Sequence, residues 1–246
     1  SRVPVMLVGQ GCGRIPARKE VEEFADKSGI YAAETFMGKG GISIKNEHAF
    51  ATVGLGARDL ALEAFEKADL VITLGYDMVE WHPDRWNVGE PKKIIHIDTL
   101  PAEVDQQYNI DVEIIGDIRS ALSALTAGLT DEHSAARSES YKETMDGVRQ
   151  TMMAELNEHN EDDGFPMKPQ RILSDLRKVM GADDILISDV GAHKMWVARQ
   201  YPAYEPGTVI ISNGFCSMAG SVPGAMAAKH VYPDRNIVAL CGDGGF

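Results

Sequence analysis

The chain is poor in the residues that staple small proteins together. Only three cysteines, Cys12, Cys216 and Cys241, occur in 246 residues, far apart and without a C-x-x-C pair. That spacing argues against a disulfide framework and a zinc site, and a reducing cytoplasm is the expected compartment. Basic residues are scarce as well: 24 Lys and Arg stand against 37 Asp and Glu, a formal net charge of -13. Such a surface repels polyanions, and no Lys/Arg cluster offers a local exception, so nucleic acid is not an expected partner. Long apolar runs are missing too. None reaches the roughly 18 residues that a membrane helix needs, so a membrane is not an expected partner either. The N-terminus lacks an initiator Met and a signal-cleavage pattern, and the C-terminus stops in a glycine-rich turn. Both ends are expected to lie inside a longer chain.

What is present is an ordinary globular composition, 44% hydrophobic and 25% charged, enough for a core without staples. Val- and Ile-rich runs at 3–8, 70–74, 94–97, 185–188, 209–211 and 237–240 predict buried strands, with a further short one at 31–36. Helical patterns fall between them at 17–28, 60–67, 118–127, 169–180, 193–200 and 217–229. This alternation implies parallel strands joined by right-handed crossovers, an α/β fold built as layered α/β/α units. The segment 130–165 breaks the pattern. Its stretch from Asp131 to Asp163 carries ten acidic residues against Arg137, Lys142 and Arg149. Tyr141, Met145, Val148, Met152 and Leu156 recur there at helical spacing and predict a surface helix. The expected organisation is a first domain at 1–129, an acidic linker with a helix at 130–165, and a second domain at 166–246.

Glycine clusters come after several strands. Gly9-Gln10-Gly11-Cys12-Gly13 would need glycine at position 14 to complete a dinucleotide fingerprint, and Arg14 stands there. Tight turns are favoured there and at Gly38, Gly40 and Gly41, with a flavin or nicotinamide site left open. Asp98, ending a strand, either accepts a ribose hydroxyl or caps the adjoining turn. Gly242-Asp243-Gly244-Gly245 is more informative. An Asp flanked by glycines offers a hard oxygen to Mg²⁺, and bare backbone N–H groups can hold diphosphate oxygens; the alternative is a capped strand-end turn. Two neighbouring strands also end in small-residue loops, through Gly191 and through Gly214. Three such loops on one sheet edge predict a site for a phosphorylated cofactor.

The runs Asp189-Val190-Gly191-Ala192-His193-Lys194-Met195-Trp196, Ser212-Asn213-Gly214-Phe215-Cys216-Ser217-Met218 and Gly242-Asp243-Gly244-Gly245-Phe246 resemble the diphosphate-binding domain of thiamine-diphosphate enzymes. Their order and spacing are most similar to the acetolactate synthases. Phe36-Met37-Gly38-Lys39-Gly40, Leu74-Gly75-Tyr76-Asp77, Ile95-His96-Ile97-Asp98 and Ile115-Gly116-Asp117 are similar to that family's Rossmann-like central domain. Gly75-Tyr76-Asp77-Met78-Val79-Glu80 with Trp86-Asn87 is similar to its catabolic, flavin-independent branch. The resemblance implies a central domain followed by a truncated diphosphate-binding domain. It implies thiamine diphosphate and Mg²⁺ as cofactors, with FAD not favoured, a 2-oxo acid as substrate, and a homo-oligomer.

By the same resemblance, Asp243 would be a Mg²⁺ ligand and Gly244 and Gly245 would offer backbone groups to the diphosphate. Gly191 and His193 would line that pocket. Met218 would prop the cofactor in its bent form, in which the aminopyrimidine can remove the thiazolium C2 proton; the cofactor supplies this chemistry and the protein the posture. Cys216 would contact the aminopyrimidine through its carbonyl, and Gly214, Ser217 and Gly242 belong to the same set. Ala192 and Lys194 stand where synthases often carry polar amides, and Cys216 where a small or amide residue is usual. The Glu that activates the aminopyrimidine and the Asn that completes the metal site are expected outside residues 1–246. No catalytic residue is therefore assigned, and the chain alone is expected to be inactive. Alternatives are a sulfoacetaldehyde acetyltransferase, a glyoxylate carboligase, a pyruvate oxidase or decarboxylase, or a non-catalytic nucleotide-binding module.

Overall fold

The computed structural model describes residues 1–56, 59–130 and 138–246. Strand β1 (Pro4–Val8) is buried at every position, which demands helices on both faces of its sheet. It pairs in parallel with β2 (Tyr31–Glu34) and β3 (Leu70–Leu74). The sheet continues through β4 (Lys93–Asp98) and β5 (Val112–Ile115), giving the order β2-β1-β3-β4-β5. Between β1 and β2 come a single turn, α1 (Gly11–Arg14), and α2 (Arg18–Ser28). The helices α3 (Leu62–Lys67) and α4 (Ile118–Gly128) precede β3 and follow β5. Asp117 caps α4 by accepting the Ser120 N–H at 2.9 Å, the usual way an orphan N-terminal donor is satisfied.

On one face, Val21, Phe24 and Ala25 of α2 pack with Ile118 and Leu122 of α4 against Met6, Val8 and Ile72. On the other face lie Phe65 of α3 and a long helix, α5 (Glu139–Asn157). Ser138 caps α5 through the Tyr141 N–H, and Tyr141, Met145, Val148 and Met152 are buried against Val5 and Leu7. The helix predicted at the surface thus has one face in the first sheet's core, while its acidic residues stay outward. Residues 131–137 of the predicted acidic segment lie outside the described residues.

The second sheet has the order β7-β6-β8, all parallel, formed by β6 (Ile185–Ser188), β7 (Val209–Ile211) and β8 (Ile237–Leu240). Its helices are α6 (Pro169–Val179), α7 (Ala192–Gln200) and α8 (Ser221–Val231). Pro169 opens α6 at the position where a missing N–H costs nothing. Parallel strands with flanking helices make both units α/β, as the sequence predicts. Two details differ from the prediction. The edge strand β5 escapes the pattern because its residues are mostly exposed, Val112 at 48% and Ile115 at 52%. The helix predicted from 217 begins at Ser221 instead, since Cys216 (φ 50°) and Ala219 (φ 64°) hold left-handed backbone that cannot continue a helix.

The two units share a packed seam. Phe36 and Leu55 of the first join Leu173, Leu186 and Val197 of the second in one apolar cluster. Lys39, buried at that seam, donates to the Ala198 carbonyl at 2.9 Å and the Thr52 hydroxyl at 2.8 Å, with Glu34 at 3.6 Å. Among the described residues, no helix is long and apolar enough to cross a membrane.

Candidate functional site

Open parallel sheets bind ligands outside the carboxyl ends of their strands, where the strand order reverses. In the second sheet that point lies between β6 and β8, because β7 sits on the other side of β6. The register is flush: Ser188 pairs with Ile211 on one side and with Leu240 on the other. The loops starting at 189, 212 and 241 therefore leave one edge at one level. Helices α7 and α8 begin just after two of these loops, so their unsatisfied N-terminal N–H groups add positive potential to the same edge.

The loops meet. A Cβ at Gly242 would stand 3.5 Å from Cε1 of His193, and one at Gly244 would stand 2.9 Å from the terminal methyl of Met218. A Cβ at Gly245 would fall 2.2 Å from Oδ2 of Asp189. Gly191, with φ 152°, starts α7 and leaves room for the His193 ring, 2.8 Å from where its Cβ would be. Nε2 of His193 is buried without a hydrogen-bond partner. Met218, 54% exposed, belongs to the loop ahead of α8 and not to the core, which makes its apolar side chain available to a ligand. Asp243 and Gly244 are exposed, in the turn Asp243–Gly245.

The other predicted residues fall slightly apart from this cluster. Gly214 (φ 79°) turns its loop towards the first unit, where Asn213 Nδ2 donates to the Val79 carbonyl at 3.0 Å. Cys216 Sγ lies 3.3 Å from Asn213 Oδ1, and Ser217 is exposed. Lys194 donates to the Ser212 carbonyl at 2.9 Å and to Asn213 Oδ1 at 3.3 Å, so its charge braces the loop of residues 212–216. Asp189 is the residue that sequence reasoning misses. Its carboxylate accepts the Ala219 and Val190 N–H groups, each at 2.8 Å. Its one signal in the sequence is an Asp at a strand end, directly ahead of Val190-Gly191.

The first sheet also reverses order, between β1 and β3. That crevice is filled by the protein itself. Gly9 and Gly11 pack on the backbone of Gly75 and Tyr76, with hypothetical Cβ atoms 2.5 to 2.6 Å away. The Glu80 carboxylate accepts the Gln10 N–H at 2.9 Å, the Asp77 N–H at 2.9 Å and the Thr35 hydroxyl at 2.5 Å. Burial pushes this carboxyl up to about 7, against the opposing pull of those donors. Gly38 and Gly41 are close-packing positions against Val8, and Asp98 accepts its own neighbour's N–H and hydroxyl at Thr99. The tight-turn and capping readings describe this geometry.

Fold and loops thus define an α/β protein whose second sheet gathers three glycine-bearing loops at a switch point. Residues 1–125 match the family described as thiamine pyrophosphate enzyme, central domain, and residues 189–246 match the one described as thiamine pyrophosphate enzyme, C-terminal TPP binding domain. The chain belongs to the thiamine pyrophosphate enzyme family, whose cofactor is also called thiamine diphosphate. It is similar to an acetolactate synthase of Bacillus subtilis (strain 168), 32% identical over all of this chain and 43% of that protein. A catabolic acetolactate synthase of Raoultella terrigena is 30% identical over 99% of this chain and 43% of its own length. A putative thiamine pyrophosphate-containing protein of Bacillus subtilis is 29% identical over all of this chain and 41% of its own length. The chain thus spans about two fifths of the relatives it matches.

The residues present fit that cofactor. The unpartnered Nε2 of His193 calls for a polar group, and Gly242 and Gly244 set bare backbone beside His193 and Met218. For a divalent ion the fit is thinner. Among the described residues, no group of three or more His, Cys, Asp or Glu is placed to hold a metal, and Asp243 stands as a single exposed carboxylate. An ion there would draw its remaining oxygens from the diphosphate, water and other chain segments.

Proposed function

We propose that this chain carries the diphosphate half of the site in an acetolactate synthase, which condenses two pyruvates with decarboxylation into 2-acetolactate. The observation that carries the reading is the meeting of three strand-end loops, with His193 against Gly242 and Met218 against Gly244. His193 and the backbone of Gly191, Gly242, Gly244 and Gly245 would hold the diphosphate, and Asp243 would bind Mg²⁺. Met218 would support the aminopyrimidine, flanked by the Cys216 carbonyl, Gly214 and Ser217. The bound cofactor supplies an electron sink for decarboxylation, and the chain supplies its posture. Among the described residues Asp243 is the carboxylate at the metal position and no metal-holding group surrounds it, and the 246-residue chain is proposed to be inactive alone.

The reading is flavin-independent. Its support is Glu80, whose carboxylate takes the Gln10 N–H that a dinucleotide phosphate would need at the β1–α1 turn. A homo-oligomer is part of the proposal; Ile172 and Val179, seven residues apart on α6, expose 48% and 77% of their surface. The division into domains at 1–129 and 166–246 with a connecting segment at 130–165 is likewise proposed, α5 packing on the first of them.

The test is turnover of a panel of 2-oxo acids by the full-length protein with thiamine diphosphate and Mg²⁺. Pyruvate should be consumed with release of 2-acetolactate and CO₂. Turnover of a different 2-oxo acid alone would move the assignment to another enzyme of the family, a reading favoured by the relative whose name records only the cofactor. No turnover that depends on thiamine diphosphate would overturn both.

A further inference from the structure

We infer that Asp189 is a positioning residue that fixes Met218 relative to the Asp243–Gly245 turn; this rests on the crevice being the thiamine-diphosphate site. Asp189 closes β6, is 2% exposed, and donates its own N–H to the Leu240 carbonyl at 2.8 Å. Its backbone is therefore locked to β8, the strand that leads into the Asp243–Gly245 turn. Its side chain reaches the other two loops. Oδ1 accepts the Val190 N–H at 2.8 Å, ahead of Gly191, and Oδ2 accepts the Ala219 N–H at 2.8 Å, directly after Met218. Gly245 lies against the same Oδ2, closely enough that a Cβ there would overlap it at 2.2 Å. One buried carboxylate thus touches all three loops.

The backbone it grips is strained. Ala219 and Cys216 hold φ of 64° and 50° on either side of Ser217 and Met218, a conformation that residues with a Cβ keep only when their surroundings enforce it. At Ala219 the enforcing contact is the Asp189 carboxylate. An acceptor-only group suits this place, because both donors are backbone N–H groups; an asparagine would turn an NH₂ towards one of them. The chain of action runs from Asp189 through Ala219 to Met218, whose methyl meets Gly244. Asp189 itself is buried, with its carboxylate oxygens taken by backbone N–H groups.

The test is a double-mutant cycle in the full-length protein at saturating thiamine diphosphate and Mg²⁺. Asp189→Asn should lower kcat about tenfold while KM for the 2-oxo acid stays within about twofold, the signature of lost orientation and not of lost substrate binding. Titration calorimetry should show thiamine-diphosphate binding weakened at least about threefold, unchanged affinity counting against the inference. In a Met218→Ala background the same change should lower kcat by less than about twofold, because the contact acts through Met218. Equal losses in both backgrounds, or full kcat for Asp189→Asn at saturating cofactor, would overturn the inference while leaving the function intact. Adding Ala219→Gly, which accepts the left-handed backbone without strain, should restore part of the lost kcat. Where Asp189→Asn does not fold by circular dichroism, the cycle is run with Ala219→Gly in all four proteins and the same criteria apply. A wild-type protein without thiamine-diphosphate-dependent turnover removes the functional reading and this inference together.

Discussion

Glu80 takes the N–H groups of Gln10 and Asp77 and the Thr35 hydroxyl into a site from which water is excluded, and burial raises its pKa to about 7. In an unfolded chain the same group titrates near the ordinary glutamate value of about 4.3. Between those two values the folded protein holds the proton more tightly, so this group's contribution to stability is complete below about pH 4.3 and is lost as pH rises through about 7. Urea unfolding of wild type and Glu80→Gln at pH 5 and pH 8 measures it. The wild type should lose on the order of 1–3 kcal/mol more than the variant between the two pH values; parallel behaviour would contradict the assignment. At the other end of the molecule, Gly245→Ala drives a methyl into the Asp189 carboxylate. Thiamine-diphosphate affinity of the full-length protein, read by titration calorimetry, should fall at least about tenfold, with an overpacking cost of about 1–3 kcal/mol in stability. The glycines around Asp243 are legible in the sequence because few residues can serve in such turns. Asp189 is not, because its role depends on two backbone groups 30 and 56 residues away that only the folded chain brings to it.

At the scale of elements, Val- and Ile-rich runs are read closely: β3, β6, β7 and β8 begin and end where those runs do, though only β6 is buried at every position. Such runs are unambiguous because both sheet faces select apolar residues. The edge strand β5 gives no such signal, since one face and one side of it meet water. Helix α8 starts four residues later than its pattern predicts, because Ser217, Met218 and Ala219 are compatible with a helix by propensity and the left-handed turn is imposed by tertiary contacts. Helix α5 is recognisable by its spacing, but its partner is not, for periodicity says which face is apolar and not what covers it. Met145, with no exposed surface, sits in the middle of that face. Met145→Ala should cost about 2–5 kcal/mol in chemical denaturation. A change below about 0.5 kcal/mol would place the helix outside the core.

At the scale of the whole molecule, the seam between the units is tied to α7, the helix that starts at the candidate site. Lys39 joins Glu34 and Thr52 of the first unit to the Ala198 carbonyl in α7 of the second. Burial pulls the Lys39 pKa down and pushes that of Glu34 up, each opposed by attraction to the other. Removing one partner leaves an uncompensated buried charge, so Lys39→Met should cost about 3–5 kcal/mol. The cost should be smaller at pH 5 than at pH 8, because the orphaned Glu34 can take up a proton at the lower pH; equal costs in thermal unfolding would argue against the pair.

The second unit's crevice rests on topology that the sequence can only suggest: three flush parallel strands with the reversal between β6 and β8. A crystal structure of the full-length protein with thiamine diphosphate and Mg²⁺ tests that arrangement most directly. The diphosphate should lie between the His193 ring and the Gly242–Gly245 backbone, with Asp243 on the ion and Met218 beneath the bent cofactor. Cofactor bound at the first sheet's β1–β3 crevice, or its diphosphate held away from His193 and Asp243, would contradict the account.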